Sequence, residues 1–379
     1  MPRLFVILFI AYLAGNLYIL LRGWQAFAPG KTGRKVVFVL VTGLLAALFP
    51  ALFLQRTLLP AAGSGAHLLY EIGTGWLIFT LYMVAGLLLA DIILVTGRLF
   101  QLKPFATQPL RTSYRRYSFL SIFLLVIIVL SIGYYRYQHP STQVFNIVIN
   151  KPLPSGDKTL RVVAVSDVHL GYGTDKRQLQ RYVKMINDLQ PDLVLIGGDL
   201  IDSDVTPLWK ERMNEELGCI RAPLGVYMVP GNHEYIAGIR NSEKFIRTTP
   251  IRYLRDSVAR LPNGLVIAGR DDASNRNRAS LPELLKGTPK TAPVVLLDHQ
   301  PRNLNEAVKA NVDLQFSGHT HEGQVWPVSL WVKKLFELSH GMRHTGNTWQ
   351  YVSSGLALWG PPFRIGTQSE LAVFNLEFR

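Results

Sequence analysis

Four long apolar stretches without a charged residue restrict the fold of this chain more than any other sequence feature. They cover residues 4–21, 36–54, 72–90 and 117–135, and each has 18 or 19 residues. A helix of that length spans roughly the 30 Å hydrocarbon core of a bilayer. The sequence therefore predicts an all-α region of four transmembrane helices over residues 1–140, which anchors the rest of the chain in a membrane.

Two other interpretations of these stretches remain open. One or two of them could be buried helices of a soluble protein, or the first could be a cleaved signal peptide. The apolar region of a signal peptide has about 7 to 15 residues, whereas the first stretch has 18 and three more follow it. We favour four spans. Because no charged residue lies inside the stretches, we interpret them as an anchor and not as a transporter.

The net charge of +14 is concentrated in the first part of the chain. Residues 1–150 hold 12 basic and 2 acidic residues, which gives +10. The remaining 28 basic and 24 acidic residues give only +4. Most of the excess therefore belongs to the loops between the predicted spans, and we predict no nucleic-acid partner.

The same basic residues predict the orientation in the membrane, because short loops rich in Lys and Arg stay in the cytoplasm. The second loop has one basic residue, Arg56. The first and third loops have four and five: Arg22, Lys31, Arg34 and Lys35, then Arg98, Lys103, Arg111, Arg115 and Arg116. We expect a multi-pass protein of the cell membrane with residues 141–379 on the extracytoplasmic side.

Residues 141–379 show the pattern of an α/β domain. Residues 144–149 alternate like a half-exposed strand. Short apolar runs follow at residues 160–165, 193–196, 226–229, 294–297 and 314–316. Between the first two runs, Leu179, Val183, Ile186 and Leu189 have the period of an amphipathic helix that ends before Pro191. This order of strand, helix and strand predicts parallel pairing with a crossover.

Each of these five apolar runs is followed at once by polar residues. Ligands collect beyond the carboxyl ends of parallel strands, so we expect the five clusters on one rim of one sheet. Seven of their side chains are candidate metal ligands: Asp167, His169, Asp199, Asn232, His299, His319 and His321.

The type and number of these candidate ligands indicate two transition-metal ions. Mixed nitrogen and oxygen ligands suit manganese, iron or zinc, whereas calcium prefers oxygen alone. Seven ligands exceed the four of a tetrahedral zinc site, but two ions that share one carboxylate would use all of them. Two such ions about 3.5 to 4 Å apart can activate water and stabilise both oxygens of a displacement at phosphorus. The predicted reaction is the hydrolysis of a phosphate ester or pyrophosphate.

The polar clusters also resemble a known set of motifs. They are Asp167-Val-His169, Gly198-Asp199, Gly231-Asn232-His233-Glu234, His299 and Gly318-His319-Thr320-His321. In this order they resemble the calcineurin-like metallophosphoesterase family, in its membrane-anchored bacterial branch. The resemblance covers about residues 160–322, and the tail at residues 353–378 with Gly360-Pro361-Pro362-Phe363-Arg364 is also similar to that branch. It implies a two-sheet sandwich flanked by helices.

The resemblance further implies a role for each motif residue. One metal would be held by Asp167, His169, Asp199 and His321, and the other by Asp199, Asn232, His299 and His319. Asp199 would bridge the two ions. His233 would be the catalytic residue that stabilises the scissile phosphate and protonates the leaving oxygen. Glu322 departs from the glycine of this branch, and the departure could alter metal tuning or substrate access.

Other residues are interpreted as structural. A single His or Asp at a strand end is more often a hydrogen-bonding group than a ligand. We expect Asp202 to be an ordinary loop acid, with support of the metal ligands as the alternative, and Cys219 to be a small buried apolar residue. We expect His340 and His344 to be surface or loop residues, with a position in a substrate cleft as the alternative. The aromatic and basic segment at residues 326–338 is interpreted as core packing, with docking on a bilayer surface as the alternative.

The substrate class is open at this level. We expect a phosphorylated small molecule or a lipid-linked phosphate. Some relatives in the branch resemble hydrolases of UDP-2,3-diacylglucosamine, but that lipid A precursor lies on the cytoplasmic side and conflicts with the predicted orientation. A catalytically silent metal-binding scaffold is the other alternative, although such proteins usually lack some of the ligands or the catalytic histidine.

Overall fold

Four long helices form the N-terminal third of the protein. The structure is a computed structural model that describes residues 2–27, 32–58, 64–105 and 107–379. The helices are α1 (Pro2–Ala26), α2 (Thr32–Leu58), α3 (Ser64–Leu99) and α4 (Gln108–Gln138). All four are long and apolar enough to cross a membrane. Lys31, assigned above to the first loop, lies outside the described residues.

Helix α3 extends beyond the apolar stretch from which it was predicted. It has 36 residues and carries Asp91 just past that stretch. Asp91 pairs with Arg22 of α1 at 2.5 Å and also accepts a hydrogen bond from Tyr18. Arg22, which we placed in the first loop, is therefore a residue of α1. Pairing lowers the free-energy cost of keeping both charges partly buried among the helices.

The described residues divide into two compact units. One holds most of the four long helices, and α4 belongs to it as far as Tyr134. The other, which we call the C-terminal unit, holds residues 135–359 and 363–379 together with the short segment at residues 64–67. Residues 360–362 group with the helices.

Two six-stranded mixed sheets build the C-terminal unit. The first has the strand order β1-β12-β2-β3-β4-β5 and the second the order β10-β11-β9-β8-β7-β6. The strands are β1 (Ser141–Ile149), β2 (Thr159–Val165), β3 (Leu193–Ile196), β4 (Val226–Met228), β5 (Arg252–Tyr253), β6 (Ser257–Arg260), β7 (Val266–Gly269), β8 (Val294–Leu297), β9 (Leu314–Ser317), β10 (Gly341–Thr345), β11 (Thr348–Val352) and β12 (Glu370–Phe378). The predicted two-sheet α/β fold is confirmed.

Short helices cover the sheets. They are α5 (Lys176–Asp188), α6 (Thr206–Lys210), α7 (Met213–Leu217), α8 (Asn232–Ile236), α9 (Ile239–Ile246), α10 (Leu281–Leu284), α11 (Asn305–Lys309) and α12 (Val328–Leu335). Helix α5 is the predicted amphipathic crossover between β2 and β3. Its first turn is capped by Asp175, whose carboxylate accepts a hydrogen bond from the amide of Gln178 at 2.9 Å.

The alternation of side chains along β2 explains the layers. Val162 packs between the two sheets, whereas Val163 packs on the opposite face against α5. A further apolar cluster lies on the second sheet and includes residues of α10 and α11. Successive side chains of a strand point to opposite faces, and both faces here are buried. The result is a sandwich of helices, sheet, sheet and helices.

The expectation that Cys219 is buried was wrong. Its side chain is exposed directly after α7, and its thiol lies 3.5 Å from the carbonyl of Glu215. Cys219 lies in a surface turn at the end of the helix, and its side chain is therefore exposed.

Candidate metal centre

The candidate ligands come from two sheets and not from one rim of a single sheet as expected. Asp167 and His169 follow β2, and Asp199 follows β3, which pairs with β2 in parallel. His299 follows β8 of the second sheet, and His319 follows β9, its parallel neighbour. The carboxyl ends of these strands meet at one end of the sandwich, which is why both sheets contribute.

One group of ligand atoms gathers around Asp167. His169 Nε2 and His321 Nε2 are 3.1 Å apart and lie 3.8 and 3.3 Å from Asp167 Oδ1. Asp199 Oδ2 is 3.9 Å from His169 Nε2. All four residues are buried. Two imidazole nitrogens and two carboxylates therefore converge on a small volume.

A second group gathers on the other side of Asp199. His299 Nε2 lies 3.1 Å from the same Asp199 Oδ2 and 3.2 Å from Asn232 Oδ1. His319 Nδ1 lies 2.7 Å from Asn232 Oδ1. Asp199 is thus common to both groups. The structure brings all seven candidate ligands together at one end of the sandwich.

The spacing within the two groups fits metal coordination. Bonds of about 2.0–2.2 Å to a central ion place neighbouring ligands at about 2.8–3.6 Å from one another in tetrahedral or octahedral geometry. Most of the distances above fall in or near this range. Asp199 would be the ligand shared by the two groups if each of them held an ion.

The pKa values of the histidines in this centre shift in opposite directions. Burial disfavours the charged form of His299, yet the carboxylate of Asp199 outweighs burial and raises the pKa of His299 well above its usual range. Burial, together with neighbouring histidines, lowers the pKa of His319 to about 4 and that of His321 well below its usual value. Neutral imidazoles are the form that binds metal.

A backbone contact fixes the ring of His299. Its Nδ1 lies 2.8 Å from the carbonyl oxygen of Gly197, which can only accept a hydrogen bond. Nδ1 therefore carries a proton, and Nε2 faces Asp199 and Asn232 of the second group. Contacts of this kind orient metal-binding histidines and raise their basicity. Gly198, at φ +94°, allows the approach because a Cβ there would lie 2.7 Å from His299 Nδ1.

Five of the seven candidate ligands have left-handed backbone conformations. Their φ angles are +56° at Asp167, +48° at His169, +50° at Asp199, +72° at His319 and +49° at His321. Each such residue costs roughly 1–3 kcal/mol and persists only where the surroundings hold it. Clusters of strained residues are typical of active sites, and this signal is independent of side-chain chemistry.

His233 lies beside the two groups and is paired with Asp202. Its Nδ1 is 3.0 Å from Asp202 Oδ1, and the same carboxylate oxygen lies 3.5 Å from His169 Nδ1. Burial opposes charge on His233, but the hydrogen bond to Asp202 and the charges of Asp199 and Asp202 raise its pKa to about 9. Asp202, which we expected to be an ordinary loop acid, therefore orients His233.

Glu234 holds the loops that carry two candidate ligands. Its fully buried carboxylate accepts hydrogen bonds from the amides of Asp199 (3.0 Å), Ile201 (2.9 Å) and Gly231 (2.7 Å). Burial raises the pKa of Glu234 to about 7. The sequence predicts no separate role for Glu234 beyond its place in a motif. Its position three residues after Gly231 is that of a capping box, which was the available signal.

We expect Glu234→Gln to destabilise the C-terminal unit. The new NH₂ group would face backbone N–H donors, and each buried N–H left without an acceptor costs about 1–3 kcal/mol. The melting temperature of the purified full chain should fall by about 5–10 °C. The control is Glu215→Gln on the exposed side of α7, which should leave it within about 2 °C. Equal melting temperatures for the two variants would contradict this role of Glu234.

Arg364 holds the backbone of the loops around the centre. The sequence predicts no role for this residue. Its guanidinium is fully buried and donates to the carbonyls of His321 (2.9 Å), Ser354 (2.6 Å) and Gly355 (2.9 Å). Burial lowers its pKa to about 10. The backbone of Ala357 in turn donates to the carbonyl of Asp167. Arg364 thereby ties the turn of His321 to a loop that contacts Asp167.

The backbone at Glu322 has a conformation that suits the glycine implied by the family resemblance. The φ angle is +52°, in the region that favours glycine. The Glu322 carboxylate lies 3.7 Å from His340 Nδ1 and 4.0 Å from Lys333 Nζ. His340 also contacts Glu370 at 3.1 Å and is half-buried, whereas His344 is exposed and stacks on Trp349. Neither histidine belongs to the two ligand groups.

An α/β sandwich with paired His and Asp clusters at one end defines a class of metal-dependent hydrolase folds, and sequence comparison identifies the family. The calcineurin-like phosphoesterase family matches residues 160–323. A metallophosphoesterase of Aquifex aeolicus is 31% identical over 252 residues, which cover 64% of this chain and 95% of the relative. The chain belongs to the calcineurin-like phosphoesterase family, whose members typically depend on two metal ions.

Two other relatives are longer than the matched region. A metallophosphoesterase of Helicobacter pylori is 34% identical over 226 residues, which cover 58% of this chain and 60% of the relative. A transmembrane protein with a metallophosphoesterase domain from Danio rerio is 33% identical over 256 residues, 63% of this chain and 58% of the relative. The chain thus matches only about 60% of the length of these two relatives. The description of the Danio rerio relative and the four apolar helices together indicate membrane association.

Proposed function

We propose that the protein is a membrane-anchored phosphoesterase that hydrolyses a phosphate ester or pyrophosphate with two transition-metal ions. The observation that carries this proposal is the convergence of seven ligands into two groups around one oxygen of Asp199. Asp167, His169, Asp199 and His321 would hold one ion. Asp199, Asn232, His299 and His319 would hold the other.

The bound ions would supply Lewis-acid stabilisation of the reacting phosphate and activation of water. The residues of the chain have separate tasks. Asp199 directs Oδ2 toward both groups, while its Oδ1 accepts a hydrogen bond from the His233 amide at 2.8 Å. His233, protonated through its contact with Asp202, would donate a proton to the leaving oxygen. Mixed nitrogen and oxygen ligands favour manganese, iron or zinc.

Aromatic side chains border the proposed catalytic residues. The ring of Trp359 lies 6.3 Å from that of His233, and Phe336 lies 5.9 Å from His319. Trp359 is about half exposed. These neighbours support a substrate that has an apolar part beside its phosphate. We keep UDP-2,3-diacylglucosamine-type pyrophosphate hydrolysis as the alternative, and the loop charges support an extracytoplasmic site over that alternative.

Metal removal provides the first test. Treatment of the purified full chain with EDTA should abolish hydrolysis of bis-p-nitrophenyl phosphate, and added Mn²⁺ should restore it. Because ligands that bind only the folded state stabilise it, EDTA should also lower the melting temperature by several degrees. Activity is followed by p-nitrophenolate absorbance, and metal content by elemental analysis.

The same assay distinguishes the enzyme from a silent scaffold. A scaffold would bind metal and show the shift in melting temperature, yet turn over no ester with Mn²⁺, Fe²⁺ or Zn²⁺. The presence of His233 and all seven ligands supports the enzyme. Calcium serves as the control ion, because a site with four histidines should not be restored by a metal that prefers oxygen ligands.

A further inference from the structure

Helix α12 presents its apolar residues outward. Among its eight residues only Ser329 is buried, whereas Trp331 and Leu335 are 73% and 76% exposed. Three more large apolar side chains of this segment are exposed: Trp326, Val328 and Leu330. The interpretation of residues 326–338 as core packing was therefore wrong for most of these side chains. A contiguous group of exposed large apolar side chains marks an interaction surface.

The charge of the same helix favours an anionic partner. Lys333 and Lys334 are exposed within α12. Glu337, the one acidic residue of the segment, is paired with Arg343 at 2.7 Å. Tryptophan and leucine beside lysine are typical of helices that lie in the interface of a bilayer.

The chain itself supplies the reason to expect a bilayer. It carries four helices long and apolar enough to span a membrane, and β1 begins only three residues after α4 ends. The short link therefore tethers the C-terminal unit to the apolar helices. We propose that the exposed face of α12, which we call the α12 face (Trp326, Val328, Leu330, Trp331 and Leu335), docks on the headgroup layer of a bilayer that contains anionic lipids.

The α12 face is connected to the candidate metal centre. Phe336, directly after α12, packs on the ring of His319, and Thr320 donates a hydrogen bond to the carbonyl of Ser339 at 2.5 Å. Lys333 lies 4.0 Å from Glu322, the neighbour of His321. Docking would bring these ligand turns close to the headgroups. Given the proposed phosphoesterase function, the substrate is then a phosphate carried at the membrane surface.

A lipid-quenching experiment tests the docking without reference to catalysis. Trp331→Cys is made in the full chain with Cys219→Ser, labelled with a polarity-sensitive fluorophore and reconstituted into nanodiscs of phosphatidylcholine and phosphatidylglycerol. Nitroxide-labelled lipid should quench this label at least about threefold more than a label at Lys184→Cys, because interfacial helices lie at headgroup depth. Lys184 is a matched control on α5, with a side chain 74% exposed.

Each result of the quenching experiment either supports or overturns the docking proposal. Equal quenching at the two positions, or none at either, overturns the proposal. A label at position 331 that shifts its emission without responding to nitroxide lipid identifies a protein contact and also overturns it. Leu335→Cys provides a second labelling site, and neither substitution opens a cavity because both side chains are exposed. In nanodiscs of phosphatidylcholine alone the quenching should weaken, since the lysines lose their anionic partners.

Activity measurements then connect docking to the substrate. The double variant Trp331→Ser, Leu335→Ser should hydrolyse soluble bis-p-nitrophenyl phosphate at the normal rate. It should hydrolyse a long-chain alkyl p-nitrophenyl phosphodiester in nanodiscs about tenfold more slowly. Equal rates of the double variant and the unmodified chain on the lipid ester would contradict the link. If the phosphoesterase proposal itself fails, the unmodified chain cleaves neither ester, while the quenching result still decides the docking.

Discussion

Asp199→Asn should abolish most of the activity and reduce the metal content below two ions per chain. Asparagine has nearly the same shape, but it removes the negative charge that both ligand groups share through Oδ2. Outer-shell partners of metal sites typically contribute 10–100-fold to activity or affinity. A shared ligand should exceed this, so we expect a loss of about 10³-fold or more in kcat/KM.

The control for this variant is Asp188→Asn at the end of α5. Asp188 is an exposed partner of Lys184, and its replacement should change neither activity nor metal content. Elemental analysis and the bis-p-nitrophenyl phosphate assay check both variants. Two bound ions together with unchanged turnover in Asp199→Asn would refute the shared-ligand assignment.

His233→Asn should lower kcat by about 10²–10⁴-fold, the usual contribution of a general acid, while both metal ions remain bound. The reason is the position of His233: it bonds to Asp202 at 3.0 Å, and its ring lies beside the ring of His169 without joining the two ligand sets as we assign them. This separation of activity from metal content distinguishes His233 from Asp199.

His344→Asn is the matched control for His233→Asn. His344 is exposed and stacks on Trp349, so its loss should leave kcat unchanged. A fall in metal content of His233→Asn comparable with that of Asp199→Asn would instead identify His233 as a ligand. The grouping of His169, Asp199 and His233 atoms within 4.8 Å makes this a meaningful alternative outcome.

The sequence was most informative where one local pattern determines one element. The apolar runs predicted β2, β3 and β8 to within one residue, because buried parallel strands contain little else than β-branched and aliphatic residues. The spacing of Leu179, Val183 and Ile186 predicted α5, because the buried face of an amphipathic helix repeats about every 3.6 residues. The grouping of the seven candidate ligands followed from the order of the strands and from the family resemblance.

The sequence was least informative about contacts between distant segments. Nothing local distinguishes one sheet from two, because the pairing of β8 with β7 and β9 depends on long-range packing. Arg364 acts through backbone carbonyls, which leave no pattern in side-chain chemistry, whereas the capping-box position of Glu234 was a signal that we did not use. The outward apolar face of α12 was misinterpreted because an apolar residue that meets lipid or a partner looks the same in sequence as one in a core.

The left-handed backbone at five candidate ligands restricts how this centre can vary. Asn, Asp and His tolerate that conformation far better than β-branched residues, so a threonine or valine at Asp167 or His321 would disturb the turn as well as remove a ligand. Exchange among Asn, Asp and His keeps the turn. The main-chain conformation therefore limits which residue types these positions accept, whichever metal is bound. A new metal preference would have to arise from exchanges among those few residue types.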